Sequence, residues 1–279
     1  DVDGLEITTK GGSYDTQQYN FLFGKIFKDI NIALNFNYFN THGFNGHIKE
    51  DRQTFYDQLF GTNASLAPGR MKGDDKKYDT SLTLKYKEFK FDGRYFDRDR
   101  DLPIGLNPIL NNKSTFSEKD YYINFSYKKT LCDGLEFLGK VYRNHNYFHT
   151  YYQLYPPESA VFSPIGPVIM PEGMIAITHV KNNRTGIEIQ TTYKMSDCNT
   201  ILGGITYEEM KQYNVGWKGN FLYTPIPGVF IPLPSINDRS NIQNFNHSVK
   251  RNFKAVFFED ILDITNALRF TVGARYDRY

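Results

Sequence analysis

Apolar and polar side chains alternate along several stretches of this chain. In the clearest stretch the even-numbered residues are apolar or aromatic, namely Ile30, Ile32, Leu34, Phe36 and Tyr38. The odd-numbered residues on the opposite parity are mostly amides, namely Asn31, Ala33, Asn35 and Asn37. A period of two residues predicts a β-strand whose two faces meet different surroundings. The pattern recurs from Leu82, Tyr121 and Ile187. Each repeat has roughly the ten residues that a tilted strand needs to cross a membrane.

Eleven strands are predicted in this way, with no convincing amphipathic core helix between them. They cover residues 3–10, 14–26, 30–40, 77–87, 89–99, 119–129, 135–148, 184–196, 200–211, 250–260 and 267–279. Short connections at 27–29, 88, 130–134, 197–199 and 261–266 alternate with long ones at 41–76, 100–118, 149–183 and 212–249. Short turns at one end and long loops at the other are typical of outer-membrane barrels.

Composition favours the same all-β class, a transmembrane up-and-down antiparallel β-barrel of which this chain is a part. The 279 residues include 21 Tyr and 23 Phe but one Trp, while the mean hydropathy is only -0.53. A wall with one face toward lipid and the other toward water needs that mixture. The alternative is a soluble β-sandwich or propeller, in which aromatics fill a core between sheets. Soluble strands usually have about five to six residues, fewer than the windows here.

Charge and cysteines narrow the choice of function. The formal net charge is +2, from 33 basic and 31 acidic residues, so bulk charge gives no argument for a nucleic-acid partner. Cys132 and Cys198 have no metal-ligand spacing. The strand map places them in successive turns at the short-loop end, separated by two strands of about 4.8 Å spacing, so we expect free thiols. The start of the chain resembles no export signal, and we expect that it begins after processing or is a fragment.

Three segments carry a family resemblance. Residues 4–20, GLEITTKGGSYDTQQYN, resemble the first barrel strands after the plug in TonB-dependent outer-membrane receptors. Residues 37–46, NYFNTHGFNG, are similar to the end of the third strand in that family, and 270–277, FTVGARYD, to its recurring barrel-strand phrase. Their common order along the chain, with the loop pattern, extends the resemblance to all 279 residues.

The resemblance implies a barrel of about 22 strands with a plugged lumen, which imports ferric siderophores, haem or cobalamin with energy passed by TonB. The expected location is the outer membrane of a Gram-negative bacterium. The implied partners are outer-membrane lipid, the TonB complex through the plug, and a small nutrient or metal chelate, with no cofactor and no nucleic acid. Neither a plug nor a TonB box is recognisable in this sequence. We therefore expect residues 1–279 to be an internal part of the barrel domain.

Six residues are candidates for ligand contact. Tyr147, His149, Tyr151 and Tyr152 form an aromatic cluster at the outer end of the predicted strand 135–148 and in the loop after it, where aromatic faces could hold a planar or cationic ligand. The alternative for these four is an aromatic girdle at the lipid interface or packing within the loop. Arg94 and Arg98 have the polar parity of their strand and could grip carboxylates or phosphates. Pairing with acidic groups of the wall or plug is the alternative for them.

Two other functions remain open on the residues alone. A passive porin-like channel would have the same strands, but usually shorter outer loops. An outer-membrane enzyme would need a Ser/His/Asp set or paired carboxylates, and no such motif is visible, so the chain is not expected to be an enzyme.

The long loops carry some further signals. The pattern of residues 50–60 predicts a short helix within the first long loop. Acidic residues near that loop offer oxygen ligands but lack a full calcium-loop spacing. Specificity is expected in loops 41–76, 149–183 and 212–249.

Overall fold

The computed structural model describes residues 3–105 and 107–279. Strands make up most of it, with one helix, α1 (Arg52–Phe60). The strands are β1 (Gly4–Gly12), β2 (Thr16–Phe27), β3 (Ile30–Thr41), β4 (His47–Ile48), β5 (Gly69–Arg70), β6 (Asp75–Tyr86), β7 (Phe89–Asp101), β8 (Thr115–Cys132), β9 (Leu135–Tyr155), β10 (Ser159–Ser163), β11 (Gly166–Met170), β12 (Met174–Ser196), β13 (Asn199–Tyr223), β14 (Phe230–Asp238), β15 (Val249–Thr265) and β16 (Leu268–Arg278).

Twelve of these strands form one large sheet. Its order is β1-β2-β3-β6-β7-β8-β9-β12-β13-β15-β16, and β14 pairs with the outer end of β13. Every pair in this sheet is antiparallel, and β1 and β16 are its edges. The predicted up-and-down order and all eleven predicted strands are confirmed.

The two faces of the sheet differ as the alternation predicts. One face is apolar and exposed, with Phe125, Val141 and Ile187 each between 45% and 49% accessible. These three side chains lie in one row, because Val141 pairs with both Phe125 and Ile187. The opposite face is polar and concave, and its side chains line the cavities described below. A curved sheet with a dry outside and a wet inside is the wall of a barrel.

The apolar residues form a band that runs obliquely across the strands. Leu34 pairs with Leu82, and the same row of partners continues through Ile123 and Arg143 to the polar residues Glu209 and Asn252. Cross-strand partners form rows perpendicular to the strands. Because this row starts inside the apolar band and leaves it, the strands are tilted relative to the band. Tilted strands are required to close a sheet into a barrel.

The predicted loops after residues 148 and 211 are wrong, because the strands continue well beyond the apolar band. β9 extends to Tyr155, β12 already begins at Met174 and β13 extends to Tyr223, which makes these strands 21, 23 and 25 residues long. Crossing a bilayer takes only about 9–11 residues of a tilted strand. The excess therefore projects past the long-loop end of the wall.

A second hydrophobic cluster forms on these extensions, here called the outer core. Its buried members are Ile109, Leu154, Tyr155, Val161, Met170, Met174, Ala176, Trp217 and Phe221. The hairpin of β10 and β11 supplies Val161 and Met170, and α1 packs Tyr56 against it. Asn220 on β13 fixes the start of the neighbouring strand β12, since its amide donates to Gly173 O at 2.7 Å and accepts from Ile175 N at 2.9 Å. The long loops are thus folded structure.

The predicted helix at residues 50–60 is confirmed as α1. Asp51 caps it, accepting from Thr54 N at 2.9 Å, and also accepts from Leu110 N at 2.7 Å. The first bond uses a donor that the first turn of a helix leaves free, and the second fixes the helix to the loop around Leu110. Phe55 and Leu59 face outward, at 60% and 54% exposure.

Both thiols lie at the short-turn end of the sheet, Cys132 as the last residue of β8 and Cys198 in the turn before β13. Cys132 and Cys198 are free and exposed, as predicted. Among the described residues no helix combines the length and the apolar character needed to cross a membrane.

Candidate functional site

The concave face holds a cavity of about 870 Å³ at the outer half of the wall. Side chains from six neighbouring strands line it, mostly arginines, amides and aromatic residues: Arg94, Tyr122, Asn144, Asn146, Asn182, Arg184, Gln212 and Arg251. They belong to two adjacent rows of cross-strand partners, one through Tyr122 and Asn144 and the other through Asn146 and Asn182. The cavity is therefore a product of strand register.

Carboxylates of the wall hold two of the cavity's three arginines. Arg94 donates two hydrogen bonds to Asp79, at 2.8 and 2.7 Å. Arg184 donates two to Glu208, at 2.9 and 2.6 Å, and the Tyr142 hydroxyl donates to the same carboxylate. Paired, planar bonds of this kind fix a guanidinium in place. Each pair is electrically neutral, so neither arginine adds net charge to the cavity wall.

Arg98 makes the same kind of pair farther out, donating to Asp75 at 2.9 and 2.5 Å. It does not line the cavity. Arg251 on β15 does line it, and within residues 3–105 and 107–279 no carboxylate pairs with Arg251. An unpaired guanidinium is the cavity's available group for an anion.

Amides give the cavity its second character. Asn182 donates to Asn146 Oδ1 at 3.3 Å, and Asn146 donates to Asp120. An amide offers two donor hydrogens and an acceptor oxygen, so a row of amides keeps spare donors and acceptors after bonding to its neighbours. The arrangement can hold a polar molecule that carries hydroxyl, carbonyl or amide groups, with Arg251 for a negative charge.

The predicted aromatic cluster is divided between the convex face and the outer core. Tyr147 lies on the convex face, with the Lys181 ammonium 5.5 Å from its ring centre. His149 pairs with His179 on the neighbouring strand. Burial lowers the pKa of His179, and a positive charge on His149 lowers this pKa further.

The two remaining predicted tyrosines are part of strand β9. Tyr152 packs against the outer core, and Tyr151 is half-buried, which raises the pKa of its hydroxyl. Of the six predicted residues, only Arg94 lines the cavity. Sequence reasoning missed the lining amides and Arg184, although each has the polar parity of its strand.

Acidic residues near the long-loop end bond to neighbouring bases. Asp75 accepts from Arg98, and the Lys72 ammonium lies 3.6 Å from Asp74 and 3.9 Å from Asp101. The described residues contain no group of three or more His, Cys, Asp or Glu placed to hold a metal ion.

Comparison with known proteins rests on structure alone, because no family model and no curated sequence matches this chain. The copper transporter OprC superposes with a TM-score of 0.58 at 12% identity, over 99% of this chain. The FrpB iron transporter from Neisseria meningitidis gives 0.55 at 10% identity over 99%, and the siderophore receptor PiuA from Acinetobacter baumannii gives 0.52 at 10% over 100%.

These findings define the class of fold, an antiparallel barrel wall. It is the fold of the barrel part of TonB-dependent receptors, the family that the sequence resembles. The chain spans 38%, 41% and 46% of the lengths of OprC, FrpB and PiuA. The described residues thus form part of such a barrel, without a plug domain among them.

Proposed function

We propose that this chain is a section of the barrel wall of a TonB-dependent outer-membrane receptor that takes up a scarce nutrient. The observation that carries the proposal is a tilted sheet with an apolar convex face, a polar concave face and a packed outer core. Residues 1–279 would be one piece of a single barrel domain. Strands of this kind keep every backbone group paired within lipid.

The class of cargo follows from two sources of support. The similar structures include a copper transporter, a siderophore receptor and an iron transporter. The cavity offers amides and an unpaired Arg251, which suit an oxygen-rich, anionic molecule such as a ferric siderophore. Haem and cobalamin also carry carboxylate or amide groups. The complete receptor would contact TonB through a plug domain, which fills a barrel of this size.

Ligand contact at the mouth would come from the outer segments 41–76, 149–183 and 212–249. These segments form or surround the outer core, outside the apolar band. His149, Tyr151 and Tyr152 stay the proposed aromatic contacts there, whereas Tyr147 lies on the convex face, in the girdle position. Arg94 would contact the ligand within the cavity. Arg98 would stabilise the rim of the wall through its pair with Asp75.

A passive porin-like channel is the second candidate. The concave polar face would suit it, since water and small solutes need polar walls. The outer core favours the receptor, because porins usually have shorter outer loops. The cavity lining combines arginines, amides and aromatic residues with Glu118, Asp120, His145 and Lys211, and its described residues include no serine, threonine or cysteine as a nucleophile. We therefore do not propose an enzyme activity for it.

The test is uptake by cells that express the full-length protein. We expect uptake of a radiolabelled ferric siderophore under iron limitation, and loss of that uptake in an otherwise identical strain without TonB. Uptake that persists without TonB, together with diffusion of small sugars into the cells, would establish the porin-like channel instead.

A further inference from the structure

A group of basic side chains lies on the convex face, just outward of the apolar band. Its members, here called the basic belt, are Arg143, Lys181, Lys211, Lys250 and Lys254. Arg143 follows the apolar Val141 on the same face of β9, and Lys254 stands next to Val256 on the same face of β15. The belt therefore begins where the apolar band ends.

The register places the belt on the convex face and not in the cavity. Arg143 pairs with Ile123 on one side and Thr185 on the other, in the row next to Val141. Lys254 pairs with Tyr207, and its ammonium lies 6.0 Å from that ring centre. Cross-strand partners point to the same face of a sheet. Since Ile123 and Tyr207 are apolar-face residues, Arg143 and Lys254 share that face.

The belt carries more positive charge than its surroundings neutralise. Its one adjacent acid is Glu209, which lies 2.6 Å from the Lys211 ammonium and also contacts Lys250. Arg143, Lys181 and Lys254 form no ion pair within the described part of the chain. Burial does not explain this, because Arg143 and Lys254 are exposed.

We propose that the basic belt binds the phosphate-bearing headgroups of lipids in the outer leaflet. The inference rests on the proposed outer-membrane location and goes beyond the proposed uptake function. The observation that points to lipid is position: the cations begin at the outer limit of an apolar band, the depth at which headgroup phosphates lie. Aromatic rings at the same level, those of Tyr147 and Tyr207, match the interfacial position that tyrosine prefers.

The charge and chemistry suit phosphate better than a protein partner. The bases are spread along neighbouring strands around the outside of the wall, so each can meet a different headgroup. Arginine and lysine bind phosphate oxygens through charge-assisted hydrogen bonds. A base near an anionic membrane surface contributes enough to change lipid affinity about fivefold.

The experiment compares lipid retention by purified full-length protein in a non-ionic detergent. The test variant combines Arg143→Gln, Lys181→Gln and Lys254→Gln. The control combines Lys10→Gln, Lys77→Gln and Lys85→Gln. These changes remove the same amount of positive charge from residues on the concave face. Native mass spectrometry counts bound short-chain phosphatidylglycerol, with phosphatidylcholine of equal chain length and inorganic phosphate as the other probes.

We expect wild type and control to bind phosphatidylglycerol more tightly than phosphatidylcholine, and the test variant to lose about a hundredfold in phosphatidylglycerol affinity. Equal loss in the control, or no loss in the test variant, would overturn the belt. Equal competition by inorganic phosphate would overturn recognition of lipid as such. Extraction of the wild-type protein from membranes by alkaline carbonate would instead contradict the membrane location, and with it the proposed function.

Discussion

Replacing Phe221 by alanine tests whether the outer core folds separately from the wall. The Phe221 side chain is fully buried, with ring centres at 5.4 Å from Trp217, 5.1 Å from Tyr223 and 5.6 Å from Phe230. Truncation of a buried phenylalanine costs about 3–5 kcal/mol, from lost transfer free energy and the cavity left behind. Because the outer core lies beyond the apolar band, the loss of stability should be confined to the outer core.

Hydrogen exchange of the full-length protein in detergent measures this cost by segment. We expect protection at the outer ends of β12 and β13 to fall by roughly two to four orders of magnitude. The matched control is Phe55→Ala, since Phe55 is 60% exposed and its removal should change little. Heat-modifiable gel mobility reports the barrel, which should stay intact. Equal exchange in both variants, or a barrel that melts with Phe221→Ala, would refute a separately packed outer core.

Three further predictions concern charge and contact. Arg184→Gln should destabilise the barrel to urea more than Glu208→Gln, because Glu208 is buried at 4% side-chain exposure while Arg184 is 50% exposed and can be hydrated. Burial raises the pKa of Asp57, but hydrogen bonds from Thr62 and others outweigh it and lower the pKa. Its stabilisation of the α1 loop should therefore be full above the unfolded pKa and be lost as pH falls through the folded one, measured by limited proteolysis. Tyr151→Ala with Tyr152→Ala should weaken ligand binding about tenfold or more.

Each of these has an outcome that would contradict it. Equal urea midpoints for the two charge variants would mean that an unpaired Glu208 costs no more stability than an unpaired Arg184. If Asp57→Asn left the proteolysis profile unchanged at every pH, Asp57 would not be the cause of the acid sensitivity of the loop. Unchanged ligand affinity with an intact barrel would assign the two tyrosines to packing.

The strands across the apolar band could be predicted from the sequence because each face there has one kind of neighbour. Ile187 and Ile189 face outward while Glu188 and Gln190 face the concave side, so parity alone reveals the strand. The outer extensions lack this signal. Met174, Ile175 and Ala176 are all buried, since the outer core covers both faces, and the resulting apolar run does not alternate.

The cavity could be predicted only in part. Parity placed Arg94 on the polar face, and the structure confirms that placement by its bonds to Asp79. The contact of Asn146 with Asn182 joins residues 36 apart in sequence, and nothing local to either one signals it. Register between strands decides such contacts, and a long hairpin sets that register through its whole length.

The central claim is that the convex face meets lipid and the concave face meets water. Site-directed spin labelling of the full-length protein in lipid bilayers tests it most directly, with Cys132 and Cys198 replaced by serine and single cysteines placed at Phe125, Ile187 or Asn144. Labels at Phe125 and Ile187 should collide with dissolved oxygen and be shielded from a water-soluble nickel chelate, and the label at Asn144 should do the reverse. Equal access of the nickel chelate to all three labels would contradict a membrane-spanning wall.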